Sequence, residues 1–186
     1  MRVTETGLDG LLLTEPEMFA DARGFFLESF QAERYRALGI DDDFVQDSHS
    51  RSRQHVLRGL HFQVKYPQAQ IVTVLRGRIF DVTVDLRGGS PTFGRWFSVE
   101  LSDAGPRQLY MPPGFAHGFC VLSEAADMHY KVSRIYDPAD EGGLLWSDPD
   151  LGIDWPLAAP RVSARDAALP RLRDLAPEQL PHVVVA

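Results

Sequence analysis

Short apolar or alternating runs fill residues 25–146 of the chain, and Gly, Pro, Asp and Ser separate them. Alternation with a period of two sends successive side chains to opposite faces of a strand, so the pattern is typical of an antiparallel sandwich or barrel. The strongest strands lie at 71–75 and 79–85, where alternation around the turn Arg76-Gly77-Arg78 predicts a hairpin. Other strands are predicted at 25–30, 56–62, 96–101, 115–122 and 128–136.

Few segments carry a helical signal. The best spans residues 31–38, with Ser29 near its start and Gly39 placed to end it. After Trp155-Pro156 the sequence turns to Ala, Pro, Arg and Asp without clear periodicity, which predicts a tail that packs over the barrel. A chain of 186 residues suffices for one sizeable core and is short for two. We therefore expect one all-β domain over residues 1–186, with a barrel core at about 20–156, short flanking helices and a C-terminal tail at 157–186.

Composition and charge narrow the possible partners. No stretch approaches the roughly 20 consecutive apolar residues that cross a bilayer, so we expect no membrane span. A single cysteine, Cys120, cannot form an internal disulfide, and the N-terminus has no apolar core of signal-peptide length, which together predict the cytoplasm. A net charge of −7 argues against nucleic acid and leaves a small anionic ligand as a possible partner.

His61 is the first candidate for chemistry. It lies in an apolar predicted strand between Leu60 and Phe62, and alternation places it on the same face as Gly59 and Gln63. A lone histidine in a barrel is most often a core residue satisfied by hydrogen bonds. Polar neighbours on the same face favour a functional role for His61.

A second histidine raises the alternative of a metal site. His117 follows the rigid turn Pro112-Pro113-Gly114, and Pro-x-Gly-x-x-His is a pattern seen in cupin barrels. Many cupins use such a histidine as a metal ligand together with a His-x-His segment, whereas here the single His61 is followed by Phe62. We therefore favour a site without metal and keep a metal-dependent cupin using His61 and His117 as the alternative.

Ordered motifs run from about residue 15 to residue 170. They include Asp-Ala-Arg-Gly-Phe-Phe at 21–26, Arg-Gly-Leu-His-Phe-Gln at 58–63, Pro-Gly-Phe-Ala-His-Gly-Phe at 113–119 and Gly-Ile-Asp-Trp-Pro at 152–156. Together they resemble the dTDP-4-dehydrorhamnose 3,5-epimerase family. The resemblance implies a cupin-type jelly roll and a homodimer that exchanges N-terminal strands. It also implies a reaction that needs no cofactor, on a small nucleotide sugar, in deoxysugar biosynthesis such as that of dTDP-L-rhamnose.

The resemblance also implies roles for individual residues. His61 would remove a proton beside the C4 ketone, Asp166 would orient the imidazole, and Tyr130 would return a proton; taken alone, Tyr130 resembles a packing residue and Asp166 a helix or turn cap. A histidine with a pKa of about 6.5 is available as a neutral base near pH 7. Substrate contacts are implied for Arg23, Glu28, Gln46, Asp47, Ser48, Arg58, Gln70, His117, Tyr136, Glu141 and Arg165, with Tyr136 stacking on the nucleobase.

The sequence departs from the family pattern in the loop after His61. Gln70 stands where the family has a lysine placed to stabilise the enolate oxygen, and the loop is one residue shorter. Three explanations stay open: Lys65 acts as a substitute, Gln70 suffices for a reaction at one carbon only, or the protein binds a sugar nucleotide without turnover. A smaller departure is Ser48, where asparagine is common in the family.

Overall fold

Two antiparallel sheets face each other in the computed structural model, which describes residues 1–183 and 185. The six-stranded sheet has the order β1 (Arg2–Glu5), β2 (Leu12–Glu15), β10 (Gln108–Met111), β7 (Gln70–Arg76), β12 (Ala125–Val132) and β5 (Gln46–Arg53). The five-stranded sheet has the order β13 (Glu141–Gly143), β6 (Leu57–Gln63), β11 (Phe115–Val121), β8 (Arg78–Asp85) and β9 (Trp96–Ser102). The prediction of an all-β jelly-roll barrel is confirmed.

The core forms where inward side chains of the two sheets meet. Val72 and Met128 of the six-stranded sheet pack with Ile79 and Phe119 of the five-stranded sheet, and all four are buried. Burying a side chain of this size stabilises a fold by roughly 1.5–3 kcal/mol. This packing fixes the distance between the sheets and thereby the width of the space between them.

The hairpin predicted between 71–75 and 79–85 is wrong, although both strands exist. β7 pairs with β10 and β12, whereas β8 pairs with β9 and β11 in the other sheet. Gly77 joins them with a φ of +84°, and a Cβ at this position would collide with the backbone carbonyl of Ala125. Alternation identified the strands, but it carries no information about which strand each one pairs with.

Helices are short and flank the sheets. α1 (Ala32–Arg36) is shorter than the predicted 31–38; the Gln31 side chain caps it and its buried Tyr35 packs against the six-stranded sheet. α2 (Ala164–Ala167) and two 3₁₀ turns lie in the predicted tail, of which Val184 and Ala186 lie outside the described residues. The tail packs on the five-stranded sheet through Leu172 and Leu175. In the described part of the chain, no helix is long and apolar enough to cross a membrane.

A separate hairpin of β3 (Met18–Asp21) and β4 (Gly24–Leu27) pairs with neither sheet in the described part of the chain. Its aromatic side chains are exposed, with Phe19 at 59%, Phe25 at 64% and Phe26 at 69%. Contiguous exposed apolar surface of this kind is typical of an interaction site.

A buried network at the end of β8 predicts how stability depends on pH. Burial alone would raise the pKa of Asp85, but hydrogen bonds from Arg87, Ser90 and Thr92 outweigh it and lower the pKa from 3.8 to about 2. A lowered pKa stabilises the fold above the unfolded value, and the effect is lost as pH falls from about 4 to about 2. Asp85→Asn should therefore lower the free energy of unfolding by about 2 kcal/mol at pH 7. Urea titration should show that difference shrinking below pH 4; a constant difference would contradict this account.

Candidate active site

A cavity of about 370 Å³ opens between the two sheets. A volume of this size suits a small molecule rather than a macromolecular surface. Most of the predicted site residues line it: Gln46, Ser48, Arg58, His61, Gln70, His117, Tyr130, Tyr136, Glu141 and Arg165.

His61 projects into this cavity from β6 and is held from behind by Asp166. The His61 Nε2 and Asp166 Oδ1 atoms are 2.9 Å apart, and the second carboxylate oxygen accepts the backbone N–H of Gly59 at 3.3 Å. Because a carboxylate accepts, Nε2 carries the proton and Nδ1 keeps its lone pair. Nδ1 lies on the side of Glu141, 3.6 Å from its Oε1. Asp166 thus fixes the orientation of the imidazole ring, with Nδ1 on the side of the cavity that Glu141 lines.

Asp166 reaches this position through a local cap. Ser163 caps α2 by accepting the backbone N–H of Asp166 at 3.0 Å. The sequence suggested that Asp166 itself is a helix or turn cap, but Ser163 caps this helix. The Asp166 side chain is instead buried against His61.

Tyr130 projects into the cavity from β12 in the opposite sheet. Its hydroxyl lies 3.2 Å from the Ser50 hydroxyl on the neighbouring strand β5. Burial raises the pKa of Tyr130 to about 12, and the negative charge of Asp81 acts in the same direction. The phenol therefore stays protonated at neutral pH and faces the wall that carries His61.

His117 lies beside His61 on the paired strand β11, where the two residues are directly opposite in register. Its Nε2 lies 2.8 Å from the fully buried Oδ2 of Asp81, whose Oδ1 has no hydrogen-bond partner among the described residues. The His117 ring sits edge-on to Tyr130, with ring centroids 6.4 Å apart. His117 thus forms part of the cavity wall between His61 and Tyr130.

The rim of the cavity carries a charged cluster. The Tyr136 hydroxyl donates to Glu141 Oε2 at 2.8 Å, and Arg165 pairs with the same oxygen at 2.5 Å. Gln46 accepts the backbone N–H of Tyr136 at 3.0 Å, which fixes the rim to β5. Arg58 donates through Nε to Ser52 at 2.8 Å, and its terminal nitrogens have no partner among the described residues. An exposed aromatic ring and two arginines on one cavity are suited to the base and the phosphates of a nucleotide.

Three predicted contacts lie outside the cavity in this single chain. Arg23, in the β3–β4 hairpin, pairs with Asp21, and Glu28 pairs with Arg34. Asp47 points to the outer face of β5, where it accepts from Lys131 at 2.6 Å. The structure therefore brings His61, Tyr130 and the rim residues together, but not these three residues.

Lys65 and Gln70, the two residues considered for stabilising an enolate, line different cavities. Lys65 lines a different cavity of about 410 Å³ with Asp42, Asp43 and Arg134. Gln70 lines the His61 cavity. The geometry therefore favours Gln70 over Lys65 as the residue that contacts a ligand beside His61.

Four residues of the site escaped the sequence analysis: Ser50, Ser52, Asp81 and Ser163. The first two lie on β5, which has no apolar residue and was not predicted as a strand. Asp81 left one usable signal, since it is a charged residue inside an otherwise apolar run. Within residues 1–183 and 185, no group of three or more His, Cys, Asp or Glu side chains is arranged to hold a metal ion.

Known proteins match the chain over most of its length. The model of the family described as dTDP-4-dehydrorhamnose 3,5-epimerase matches residues 5–174. A dTDP-4-dehydrorhamnose 3,5-epimerase of Methanothermobacter thermautotrophicus is 49% identical over 156 residues, which cover 84% of each chain. Another, from Salmonella typhimurium, is 48% identical over 175 residues, 92% of this chain and 96% of that protein.

A solved structure resembles the whole fold. A dTDP-6-deoxy-D-glucose-3,5-epimerase from Legionella pneumophila Philadelphia 1, in complex with dTDP-4-keto-L-rhamnose, superposes with a TM-score of 0.96 at 49% identity. The match covers 100% of this chain and 99% of that chain. The match therefore includes all the strands and loops that line the cavity.

Proposed function

The chain belongs to the dTDP-4-dehydrorhamnose 3,5-epimerase family, and we propose that this isomerase inverts C3 and C5 of a dTDP-linked 4-keto-6-deoxy sugar in dTDP-L-rhamnose biosynthesis. One observation carries the proposal: His61 and Tyr130 enter the same cavity from facing sheets. Inversion requires a proton to leave one face of a carbon and another to arrive on the opposite face. A base and an acid on opposing walls meet that requirement.

His61 begins the reaction by taking the proton from the carbon beside the C4 ketone. The C–H electron pair forms a double bond to C4, the C4 carbonyl π pair moves onto the oxygen to give an enolate, and Nδ1 of His61 gains the proton. The carboxylate of Asp166, 2.9 Å from Nε2, stabilises the imidazolium that results. Positioned general bases of this kind accelerate reactions by roughly 10²–10⁴-fold.

Tyr130 completes the inversion by donating its hydroxyl proton to the same carbon from the other side. With its pKa raised to about 12 by burial, the phenol keeps this proton near pH 7. The phenolate is reprotonated from solvent, and His61 releases its proton to solvent. The cycle balances without an oxidant or reductant.

Binding groups at the rim hold the nucleotide. Arg58 and Arg165 offer planar guanidinium groups to the diphosphate, whose oxygens accept bidentate hydrogen bonds. Tyr136, 42% exposed, is available to stack on the thymine ring. The single cysteine, buried Cys120, makes no disulfide in the described chain and fits the reducing cytoplasm in which we expect this enzyme to work.

A homodimer would complete the site. The β3–β4 hairpin pairs with neither sheet, exposes its aromatic rings and carries Arg23, whose solvent-exposed guanidinium contacts Asp21. A second copy offers the same hairpin by symmetry. We propose that the partner's hairpin covers the cavity mouth and delivers Arg23 and Glu28 to the nucleotide.

Mixing two inactive variants tests this shared site. Arg23→Ala and His61→Asn chains refolded together should form hybrids in which one of the two sites has both native residues. At substrate concentrations well below KM, the mixture should regain about a quarter of wild-type activity, because half of random dimers are hybrids with one intact site each. Hybrids that form without regaining activity would show that Arg23 serves its own chain.

Hydrogen exchange tests the reaction itself. Wild-type protein incubated with dTDP-4-keto-6-deoxyglucose in deuterated water should place deuterium at C3 and C5, as followed by NMR. Label at one carbon only would make the protein a single-carbon epimerase. Tight binding of the sugar nucleotide without label at either carbon would instead identify a binding protein and overturn the proposal. Activity lost on treatment with a chelator and restored by metal would favour the metal-dependent alternative.

A further inference from the structure

His61 carries an extra proton after each carbon is inverted, and it must lose this proton before it can act as a base again. In the free chain, 31% of its side chain is exposed. A sugar ring between the sheets covers the imidazole further, because pockets of this kind bury most of a small ligand's surface. The cycle therefore needs a group that takes the proton from Nδ1 and passes it to solvent.

The register of β13 places a carboxylate beside this nitrogen. In the antiparallel pair of β13 and β6, Gly143 lies opposite His61 and Glu141 lies opposite Gln63. Diagonal neighbours on such a pair are within reach of long side chains. Gly143 has no side chain, so the space beside the imidazole is open to Glu141, whose Oε1 lies 3.6 Å from Nδ1.

The two carboxylate oxygens of Glu141 have different surroundings. Oε2 accepts the hydroxyl of Tyr136 at 2.8 Å and pairs with Arg165 at 2.5 Å. Oε1 makes no hydrogen bond within residues 1–183 and 185, and it faces His61. The Glu141 side chain is only 9% exposed, whereas Tyr136 is 42% exposed at the rim. The carboxylate therefore connects the half-buried imidazole to the open rim of the cavity.

Other groups on the cavity wall are less suited to take this proton. Arg58 and Arg165 are already cationic and have no acceptor. His117 is buried, so a proton passed to it would stay inside the fold. Asp166 contacts Nε2 rather than the nitrogen that gains the proton. Glu141 is the remaining acceptor beside Nδ1.

From these contacts we propose that Glu141 relays the proton from Nδ1 of His61 to solvent after each inversion. The inference rests on the proposed epimerase function. The Nδ1–H bond breaks and leaves its electron pair on nitrogen, while Oε1 of Glu141 forms an O–H bond. The carboxylic acid then gives the proton to water at the rim, and both groups return to their starting charges.

The distance between the two atoms is consistent with this transfer. At 3.6 Å it exceeds a hydrogen bond by about 0.5 Å. Proton removal from the sugar turns the imidazole into a cation, which attracts the carboxylate and favours closing this gap.

A Tyr130→Phe background isolates the relay. Without the phenol, only His61 removes and returns protons, so the substrate gains deuterium only if His61 trades its proton with deuterated water. Glu141→Gln keeps the shape of the side chain but is not a base, and Glu141→Ala removes the group. Glu100→Gln is the matched control, because it makes the same change in an exposed ion pair with Arg78 that does not line the cavity.

At saturating substrate, adding Glu141→Gln to Tyr130→Phe should lower deuterium incorporation, followed by NMR, by at least about tenfold. Adding Glu100→Gln should leave the rate unchanged. Glu141→Ala should lose a similar factor, and its rate should rise with formate concentration, because a small carboxylate can occupy the vacated space. A role of Glu141 in shaping the cavity alone predicts no response to formate.

Single-turnover measurements with Tyr130 intact give a second readout. With enzyme in excess over substrate, the first carbon reacts before His61 has to lose a proton. Glu141→Gln should therefore label the first carbon at the wild-type rate and the second carbon at least about tenfold more slowly than wild type. Equal slowing at both carbons would show that Glu141 positions the substrate, and would overturn the relay.

The outcomes separate this inference from the function on which it rests. Wild-type protein that exchanges no hydrogen overturns the epimerase function. Equal exchange in Tyr130→Phe with and without Glu141→Gln overturns the relay alone, and a cavity of about 440 Å³ that also touches His61 and Asp166 would then be the remaining outlet. If Tyr130→Phe exchanges no hydrogen, the single-turnover rates decide.

Formate decides if Glu141→Gln misfolds and fails to bind dTDP. An exchange rate in Glu141→Ala that rises with formate would support the relay. A rate that is independent of formate would overturn it.

Discussion

Replacing His61 with asparagine should lower the rate of deuterium incorporation at C3 and C5 by roughly 10²–10⁴-fold, the contribution expected of a positioned general base. Asparagine preserves a polar side chain of similar size, so the cavity should keep its shape and its affinity for dTDP. The amide has no basic nitrogen, and Asp166 then has no imidazolium to stabilise. Exchange followed by NMR, with dTDP affinity from calorimetry, separates catalysis from binding.

His182→Asn provides the matched control. Its side chain is exposed and lies at the second cavity rather than beside His61. We expect wild-type exchange in this variant. A His61→Asn protein that binds dTDP and exchanges hydrogen at the wild-type rate would remove His61 from the reaction.

Tyr130→Phe should separate proton removal from inversion, and this is the second large effect. His61 still takes and returns protons on its own side, so exchange with solvent should persist. Inversion should fall by at least about 10²-fold, because the opposite wall no longer carries an acid. NMR of the product distinguishes labelled substrate that has kept its configuration from labelled product that has inverted.

Ser50→Ala is the control for Tyr130→Phe, because it removes the hydrogen bond to Tyr130 but keeps the Tyr130 hydroxyl. It removes the 3.2 Å contact to Tyr130 and leaves the phenol in place. Inversion in this variant should stay within about fivefold of wild type, since a single neutral hydrogen bond contributes roughly 1 kcal/mol. Equal losses of inversion and exchange in Tyr130→Phe would show that Tyr130 shapes the cavity instead of donating a proton.

The fold was predictable from sequence where apolar residues alternate. β6, β9 and β11 were found at nearly their true bounds for this reason. β5, with the sequence Gln-Asp-Ser-His-Ser-Arg-Ser-Arg, was missed because its inner face is built of small polar residues instead of apolar ones. Its serines serve the cavity, so the functional demand on this strand erased the signal that hydrophobic patterning uses.

Contacts between residues that are far apart in the sequence were the second feature that local patterns could not predict. His61 and Asp166 are separated by 105 positions, and no local pattern connects them; only the resemblance to a family did so. Asp81 and His117 form a comparable pair that neither pattern nor resemblance supplied. The role predicted for Arg23 could not be checked in a single chain for a different reason. The proposed contact of Arg23 is with a nucleotide bound by a second copy of the chain.

A crystal structure of the protein with bound dTDP-4-keto-L-rhamnose tests the central claim most directly. The account predicts that the sugar ring lies between the two sheets, with Nδ1 of His61 facing C3 or C5 on one side and the Tyr130 hydroxyl facing the same carbon on the other. Nδ1 of His61 and the Tyr130 hydroxyl oxygen should each lie within about 3.5 Å of that carbon. A sugar ring with His61 and Tyr130 on the same face, or outside the space between the sheets, would contradict it.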